Sequence, residues 1–209
     1  MKIGILGAGN VGGALGKGWA RKGHEIGFGS RDPSAPAMQS LVSHCAGRAC
    51  SLTLADAAQF GEVVVCSLPW HAAQGVLAEV DVRGKTLLDT TNPLKQDLSG
   101  LELGTTSSGG ELVAQWAEGA NVVKIFNTTG FGNMENSTYA GGPIPLFYCG
   151  DAPEAKKIAA GLASDLGFAP VDVGPLTNAR ALEPQAMLWI WLAYLGGLGQ
   201  NFAFQIVKR

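Results

Sequence analysis

The residues Lys2-Ile3-Gly4-Ile5-Leu6-Gly7-Ala8-Gly9-Asn10-Val11-Gly12 decide how this chain folds. A short apolar run, Ile3 to Leu6, enters a glycine turn and leaves it into a segment whose Leu15, Trp19 and Ala20 form a core-facing helical side. A second apolar run, Ile26-Gly27-Phe28, closes on Gly29-Ser30-Arg31. Strand, glycine turn, helix and strand form the opening unit of a dinucleotide-binding sheet. In this G-x-G-x-x-G pattern Gly7 allows the tight turn, Gly9 lets a pyrophosphate approach the backbone, and Gly12 lets the helix pack closely on the strand. Asn10 and Val11 then open a helix whose unpaired N–H groups and positive dipole end face the anion. In a chain with 30 glycines the motif alone is a weak signal, and its position between strand and helix supplies the weight.

The end of the second strand says which dinucleotide is expected. An NAD site usually places Asp or Glu about 20 residues past the turn, on the adenosine ribose, whereas an NADP site offers cations and hydroxyls to a 2′-phosphate. Ser30 and Arg31 stand there. Arg31 supplies a planar fork and Ser30 a short donor, which favours NADP(H). Asp32 leaves alternatives open: it neutralises Arg31, or reaches the ribose itself, or the whole of Ser30 to Pro33 is a solvated turn.

Composition narrows the class. A length of 209 residues suits one large domain or a domain and a half, and a formal charge of -2 without a basic tract argues against a nucleic-acid surface. Cys45, Cys50, Cys66 and Cys149 show no C-x-x-C spacing and read as free thiols in a reducing compartment. His24, His44 and His71 make no metal-ligand pattern. The N-terminus reads as a strand rather than a signal peptide. The longest apolar run, Ala186 to Gly199, falls short of the roughly 20 residues a membrane span needs. A cytoplasmic protein without membrane or nucleic-acid partners is expected.

Further along, Thr53 and Asp56 form a capping-box-like helix start, and Val63-Val64-Val65-Cys66-Ser67-Leu68 reads as a central strand stopped by Pro69. Ligands of a doubly wound sheet lie at the carboxyl ends of its strands, so Ser67, Leu68 and Pro69 should border the cleft, with Leu68 and Pro69 as an apolar wall for the nicotinamide. Trp70 and His71 follow in a loop, where His71 either polarises a substrate oxygen or merely caps the next helix. Thr86 to Asp89 and Val122 to Phe126 read as two more strands, delivering Asn92-Pro93 and Asn127 to the same edge. Asn92 offers a donor and an acceptor suited to a ribose or carboxamide, against a plain turn-initiating role. Gly130 to Pro145 reads as a long glycine-rich loop and the candidate substrate lid. The expected architecture is α/β, a Rossmann-type, mostly parallel sheet over residues 1-129. Residues 130-209 follow as a small C-terminal substrate and dimerisation subdomain ending in a hydrophobic helix.

The pattern resembles the NADPH-dependent reductases typified by coenzyme F420-dependent NADP oxidoreductases, together with the cytosolic reductase domain of the STEAP metalloreductases. The resemblance is carried by Gly7 to Gly12, Gly29-Ser30-Arg31, Ser67-Leu68-Pro69-Trp70, Asn92-Pro93, Val123 to Asn127, Cys149-Gly150-Asp151 and Asp172 to Leu176. It implies direct hydride transfer between NADP(H) and a flavin-like ring, F420 or FMN/FAD with possible ferric reduction, and a small-molecule electron acceptor as the partner. It carries cofactor contacts over to Gly9, Asn10, Val11, Ser30, Arg31, Leu68, Pro69 and Asn92. Ala8 and the stretch Phe126 to Thr129 depart from the F420-reducing pattern toward the STEAP-like branch, which leaves the acceptor open.

Two other readings stand beside this one. A carbonyl or imine reductase of the β-hydroxyacid dehydrogenase kind needs a large helical C-terminal domain with a catalytic lysine, and no lysine lies between Lys157 and Lys208. In a non-catalytic NADP(H)-binding redox sensor the nicotinamide face is open to being plugged by residues 130-145 or by the terminal helix, whereas an enzyme should leave an aromatic-sized slot beside Leu68 and Pro69. The terminal helix is apolar on more than one face, which predicts a homodimer through it, against a core helix within a monomer.

Overall fold

The computed structural model describes residues 1–209. Strand β1 (Lys2–Leu6) leads through the glycine turn into α1 (Asn10–Arg21), followed by β2 (Glu25–Ser30), α2 (Pro36–Ser43), β3 (Ala49–Thr53) and α3 (Leu54–Phe60). The second half comprises β4 (Val63–Cys66), α4 (Trp70–Glu79), β5 (Thr86–Asp89), α5 (Gly109–Trp116) and β6 (Asn121–Lys124). After α6 (Phe131–Glu135) come β7 (Pro145–Gly150), α7 (Pro153–Asp165), β8 (Ala169–Asp172) and α8 (Ala179–Tyr194).

One eight-stranded sheet runs β3-β2-β1-β4-β5-β6-β7-β8. Its first six strands are parallel and in the doubly wound dinucleotide order, with the reversal between β1 and β4. Strand β7 pairs antiparallel with β6, and β8 runs parallel to β7, so the segment after residue 130 extends the same sheet. Two apolar clusters cover its faces: one gathers α1, β2 and α7 around Ile5, Trp19 and Phe28, the other α4 and α5 around Val64, Leu77 and Val113. The expected capping box of α3 is present, with Thr53 accepting from the Asp56 amide at 3.1 Å.

Three boundaries differ from the sequence reading. Strand β4 stops at Cys66 rather than Leu68, because the Ser67 hydroxyl turns back to the carbonyls of Leu6 and Gly7 and Pro69 starts a helix at once. Trp70 and His71 therefore lie in the first turn of α4, not in a loop. Strand β6 stops at Lys124 rather than Phe126: Phe126 adopts φ 65°, its ring held edge-on between Trp19 and Phe168.

The segment 130–145 is a loop only in part. Its first five helical residues, α6, lie against α1, with Met134 buried and Lys17 paired to Glu135 at 2.6 Å. Asn133 anchors it further, donating to Thr129 Oγ1 at 2.8 Å and the Phe202 carbonyl at 2.9 Å and accepting from the Tyr139 hydroxyl. The glycine turn and the loops after β4, β5 and β6 thus lie together at the carboxyl ends of the parallel strands, and the C-terminal tail braces α6 through the Phe202 carbonyl.

Candidate functional site

The glycine turn has the geometry its sequence requires. Gly7 sits at φ 97°, in the left-handed region that glycine occupies without penalty. A Cβ on Gly12 would lie 2.1 Å from the Gly7 carbonyl oxygen and 2.5 Å from Ser67 Oγ, so helix and strand approach as only glycine permits. A Cβ on Gly9 would meet nothing within 4 Å, which leaves open space where a phosphate would sit. No side chain caps α1, and its first turn holds no acidic residue, so the N–H groups opened by Asn10 and Val11 face that space unsatisfied.

Ser67, expected at the border of the cleft, is tied to the glycine turn. Its hydroxyl donates to the Gly7 carbonyl oxygen at 2.6 Å, with the Leu6 carbonyl oxygen at 3.1 Å. It secures the turn from behind.

At the tip of β2 the geometry separates two residues that the sequence leaves entangled. Asp32 accepts from the Ser34 amide at 3.0 Å and the Ser34 hydroxyl at 2.6 Å, bonds that hold its carboxyl below the ordinary range. Arg31 is exposed and takes part in none of the ion pairs. Asp32 therefore closes its own turn, and the guanidinium beside Ser30 is free to meet an anion.

On the other side of the reversal, Leu68 is half-buried with a methyl 3.3 Å from the Cβ position of Gly7, and Pro69 is exposed. Beyond them the loops after β5 and β6 clasp each other. Asn92 Nδ2 donates to the Asn127 carbonyl at 2.9 Å and Asn127 Nδ2 donates to Asn92 Oδ1 at 3.0 Å. Asn127 is 4% exposed, yet its Oδ1 has no hydrogen-bond partner. A buried acceptor without a donor is costly unless a ligand completes it. Pro93 is buried and closes the loop against Gly109. His71 is exposed on α4. The thiols of Cys66 and Cys149 are pushed up to about 12 by burial and remain protonated, which removes both as nucleophiles.

The sequence reading missed one polar group. Lys124 is fully buried, and its ammonium lies 2.9 Å from Asp89 Oδ2 and 2.9 Å from Glu183 Oε1. Burial pushes the Lys124 pKa down, but the two carboxylates more than offset this and it ends above its ordinary value. The signal was available: Asp89 and Lys124 both end apolar strands and Glu183 interrupts an apolar helix, and charged residues in such runs are rarely buried unless paired.

A doubly wound sheet with a glycine turn and an uncapped helix behind it at the sheet reversal is a dinucleotide-binding fold, with an unpaired arginine just past β2. Residues 2–93 match the family model described as NADP oxidoreductase, coenzyme F420-dependent. The crystal structure of a candidate F420-dependent NADP-reductase from Arthrobacter sp. FB24 is 32% identical, covers 100% of both chains and superposes with a TM-score of 0.88. That of the hypothetical protein SMa0349 from Sinorhizobium meliloti is 26% identical over 100% of this chain and 96% of its own, with a TM-score of 0.75. The rat (Rattus norvegicus) metalloreductase STEAP3 is 28% identical over 196 residues, 91% of this chain but 38% of that protein, so the chain spans well under half of that relative. The chain belongs to the coenzyme F420-dependent NADP oxidoreductase family and is an NADP-dependent oxidoreductase. No helix is long and apolar enough to cross a membrane.

Proposed function

We propose that the protein transfers a hydride between NADP(H) and a planar flavin-like acceptor, F420 or FMN/FAD. The observation that carries this reading is the apolar wall of Leu68 and Pro69 beside the glycine turn, half-buried and exposed respectively, which leaves room for a ring where an enzyme needs it. Backbone N–H groups of Asn10 and Val11 hold the pyrophosphate over Gly9. Arg31 and Ser30 take the 2′-phosphate, Leu68 and Pro69 support the nicotinamide, and Asn92 and Asn127 contact its carboxamide or ribose. Gly7, Gly12, Ser67 and Pro93 shape these surfaces from behind. NADP(H) supplies or accepts the hydride when bound. The chain's own task is to hold two rings in register and exclude water, which needs no nucleophile or carboxylate pair.

A homodimer through α8 fits the same reading. Leu188, Trp191 and Leu195 recur at helical spacing and are 50%, 50% and 71% exposed, whereas Trp189 on the opposite side is buried against Gly130 and Phe202. The helix is therefore not covered on all sides within one chain, and a second copy would cover the open stripe. The four free cysteines suit a reducing cytoplasm.

The deciding experiment follows nicotinamide absorbance while F420, FMN, FAD and ferric chelates are offered in turn with NADPH or NADH. Rapid oxidation of NADPH by a ring acceptor supports the proposal. Tight NADPH binding with no acceptor reduced would replace it with the redox-sensor reading.

A further inference from the structure

The Lys124 group is a costly way to gain stability, because buried ion pairs often hold a fold no better than apolar residues of the same volume. What it provides is direction. Lys124 and Asp89 are register partners at the ends of β6 and β5. Glu183 Oε2 and Oε1 accept from the amides of Gly109 and Gly110, each at 2.9 Å, so the α8 carboxylate is fixed on the start of α5. A Cβ on Gly109 would lie 3.1 Å from Glu183 and 3.2 Å from Pro93, so Gly109 sits between the carboxylate and the loop that carries Asn92.

Asp89 carries the restraint onward. With Oδ2 on Lys124, its Oδ1 accepts from the Thr91 amide at 2.9 Å and the Thr91 hydroxyl at 2.7 Å. Neither carboxylate oxygen is free to rotate. The next residue is Asn92, whose side chain clasps Asn127, and at the end of this chain of bonds stands the unpartnered Asn127 Oδ1.

We propose that Glu183, Lys124, Asp89 and Thr91 form a positioning chain that presents Asn127 Oδ1 as a fixed acceptor to an N–H or O–H donor of the nicotinamide half of NADP(H). The inference rests on the NADP(H) reading above and adds the residues that aim the contact. The 2′-phosphate half of the site, at Arg31 just past β2, lies across the sheet reversal and receives no bond from this chain of residues.

That separation supplies the test. NADP+ and adenosine 2′,5′-bisphosphate, which lacks the nicotinamide half, are titrated calorimetrically into the full chain and into Thr91→Val, Thr91→Ser and Lys124→Met, with thermal melts of each. Thr91→Val should weaken NADP+ about tenfold, the effect of one lost hydrogen bond to a charged group, and leave the bisphosphate within about twofold. Thr91→Ser, which keeps the hydroxyl, should restore NADP+ binding. Lys124→Met should show the same selective loss if it folds, and Thr91→Val decides the matter if it does not. Unchanged NADP+ affinity in Thr91→Val, or equal weakening of both ligands, would overturn the positioning role. Failure of the unaltered protein to bind either ligand would instead remove the NADP(H) reading on which it rests.

Discussion

The hydroxyl of Ser67 lies 2.6 Å from the carbonyl oxygen of Gly7 and links the exit of β4 to the turn that follows β1. These are the two strands between which the sheet reverses, so one hydrogen bond fixes the cradle across the switch point. Replacing Ser67 with Ala leaves the Gly7 carbonyl without this donor. A loss of about 1 kcal/mol is expected, or about 2–4 °C in Tm for a chain of this size, with a raised KM for NADPH. Calorimetric melting with and without NADP+ would check both parts. A variant as stable as the original, with unchanged KM, would show that the turn stands without the tether.

Gly9 and Gly12 should fail in opposite ways. A Cβ on Gly12 would press to 2.1 Å from the Gly7 carbonyl oxygen, so Gly12→Ala must push helix from strand, at about 1–3 kcal/mol. Gly9 has an ordinary φ of -75° and open space around its Cβ position, so Gly9→Ala should melt with the original protein. Its defect should appear only with ligand, as a smaller rise in Tm on adding NADP+. If both variants lose stability equally, Gly9 does not border a ligand site.

The difference between these glycines shows how far the sequence could be read. Periodicity and the glycine spacing gave the strand-turn-helix and the doubly wound order, because parallel strands covered on both faces must be short apolar runs. Endpoints were less legible where side chains reach across the fold. Phe126 leaves β6 through a left-handed backbone that its two aromatic neighbours support, and neither neighbour is local in sequence. Asp32 could not be separated from Arg31 without knowing that Ser34 takes up its carboxylate. Glu183 lies 73 residues from its Gly110 partner, a contact no local pattern encodes.

Arg31 should carry the choice of cofactor. With Asp32 engaged elsewhere, its guanidinium is available for a bidentate contact, and a charge-assisted bond of this kind contributes about 1.5–3 kcal/mol. Arg31→Ala should therefore raise the KM for NADPH by about 10- to 100-fold and leave that for NADH unchanged. Arg31→Lys should recover part of the loss, since a point charge replaces the fork. Equal effects on both nucleotides would move the 2′-phosphate site away from β2.

The link between α5 and α8 should be sensitive to acid. Arg180 Nε and Nη2 donate to Glu111 at 2.8 and 2.6 Å. These bonds hold the Glu111 carboxyl below its ordinary value of 4.5, with burial opposing and Ser108 assisting. A carboxyl depressed in the folded state adds stability that is present above that ordinary value and lost as pH falls through the folded one. Arg180→Gln should therefore lower Tm at neutral pH, and the gap should shrink as pH falls below the ordinary value of 4.5 and close once it is below the depressed folded one. A gap that persists unchanged in acid would assign the loss to packing of the arginine stem instead.

The exposed apolar stripe of α8 and of the residues just after it fixes what the assembly measurement should show. Leu188, Trp191, Tyr194, Leu195 and Leu198 are all at least half exposed, at 50%, 50%, 55%, 71% and 59%. A contiguous exposed apolar surface of this kind, carrying two large aromatic rings, has the character of an interface between subunits. Light scattering should give about twice the 21.6 kDa chain mass. Trp191→Glu places a charge at the middle of the stripe and should give the monomer. The tryptophan against Gly130, three residues past Asn127, is Trp189 and not the exposed Trp191. The monomeric variant should therefore keep its affinity for NADP+. A chain that scatters as 21.6 kDa before substitution would leave the stripe without a second copy to cover it, and the dimer reading would fall.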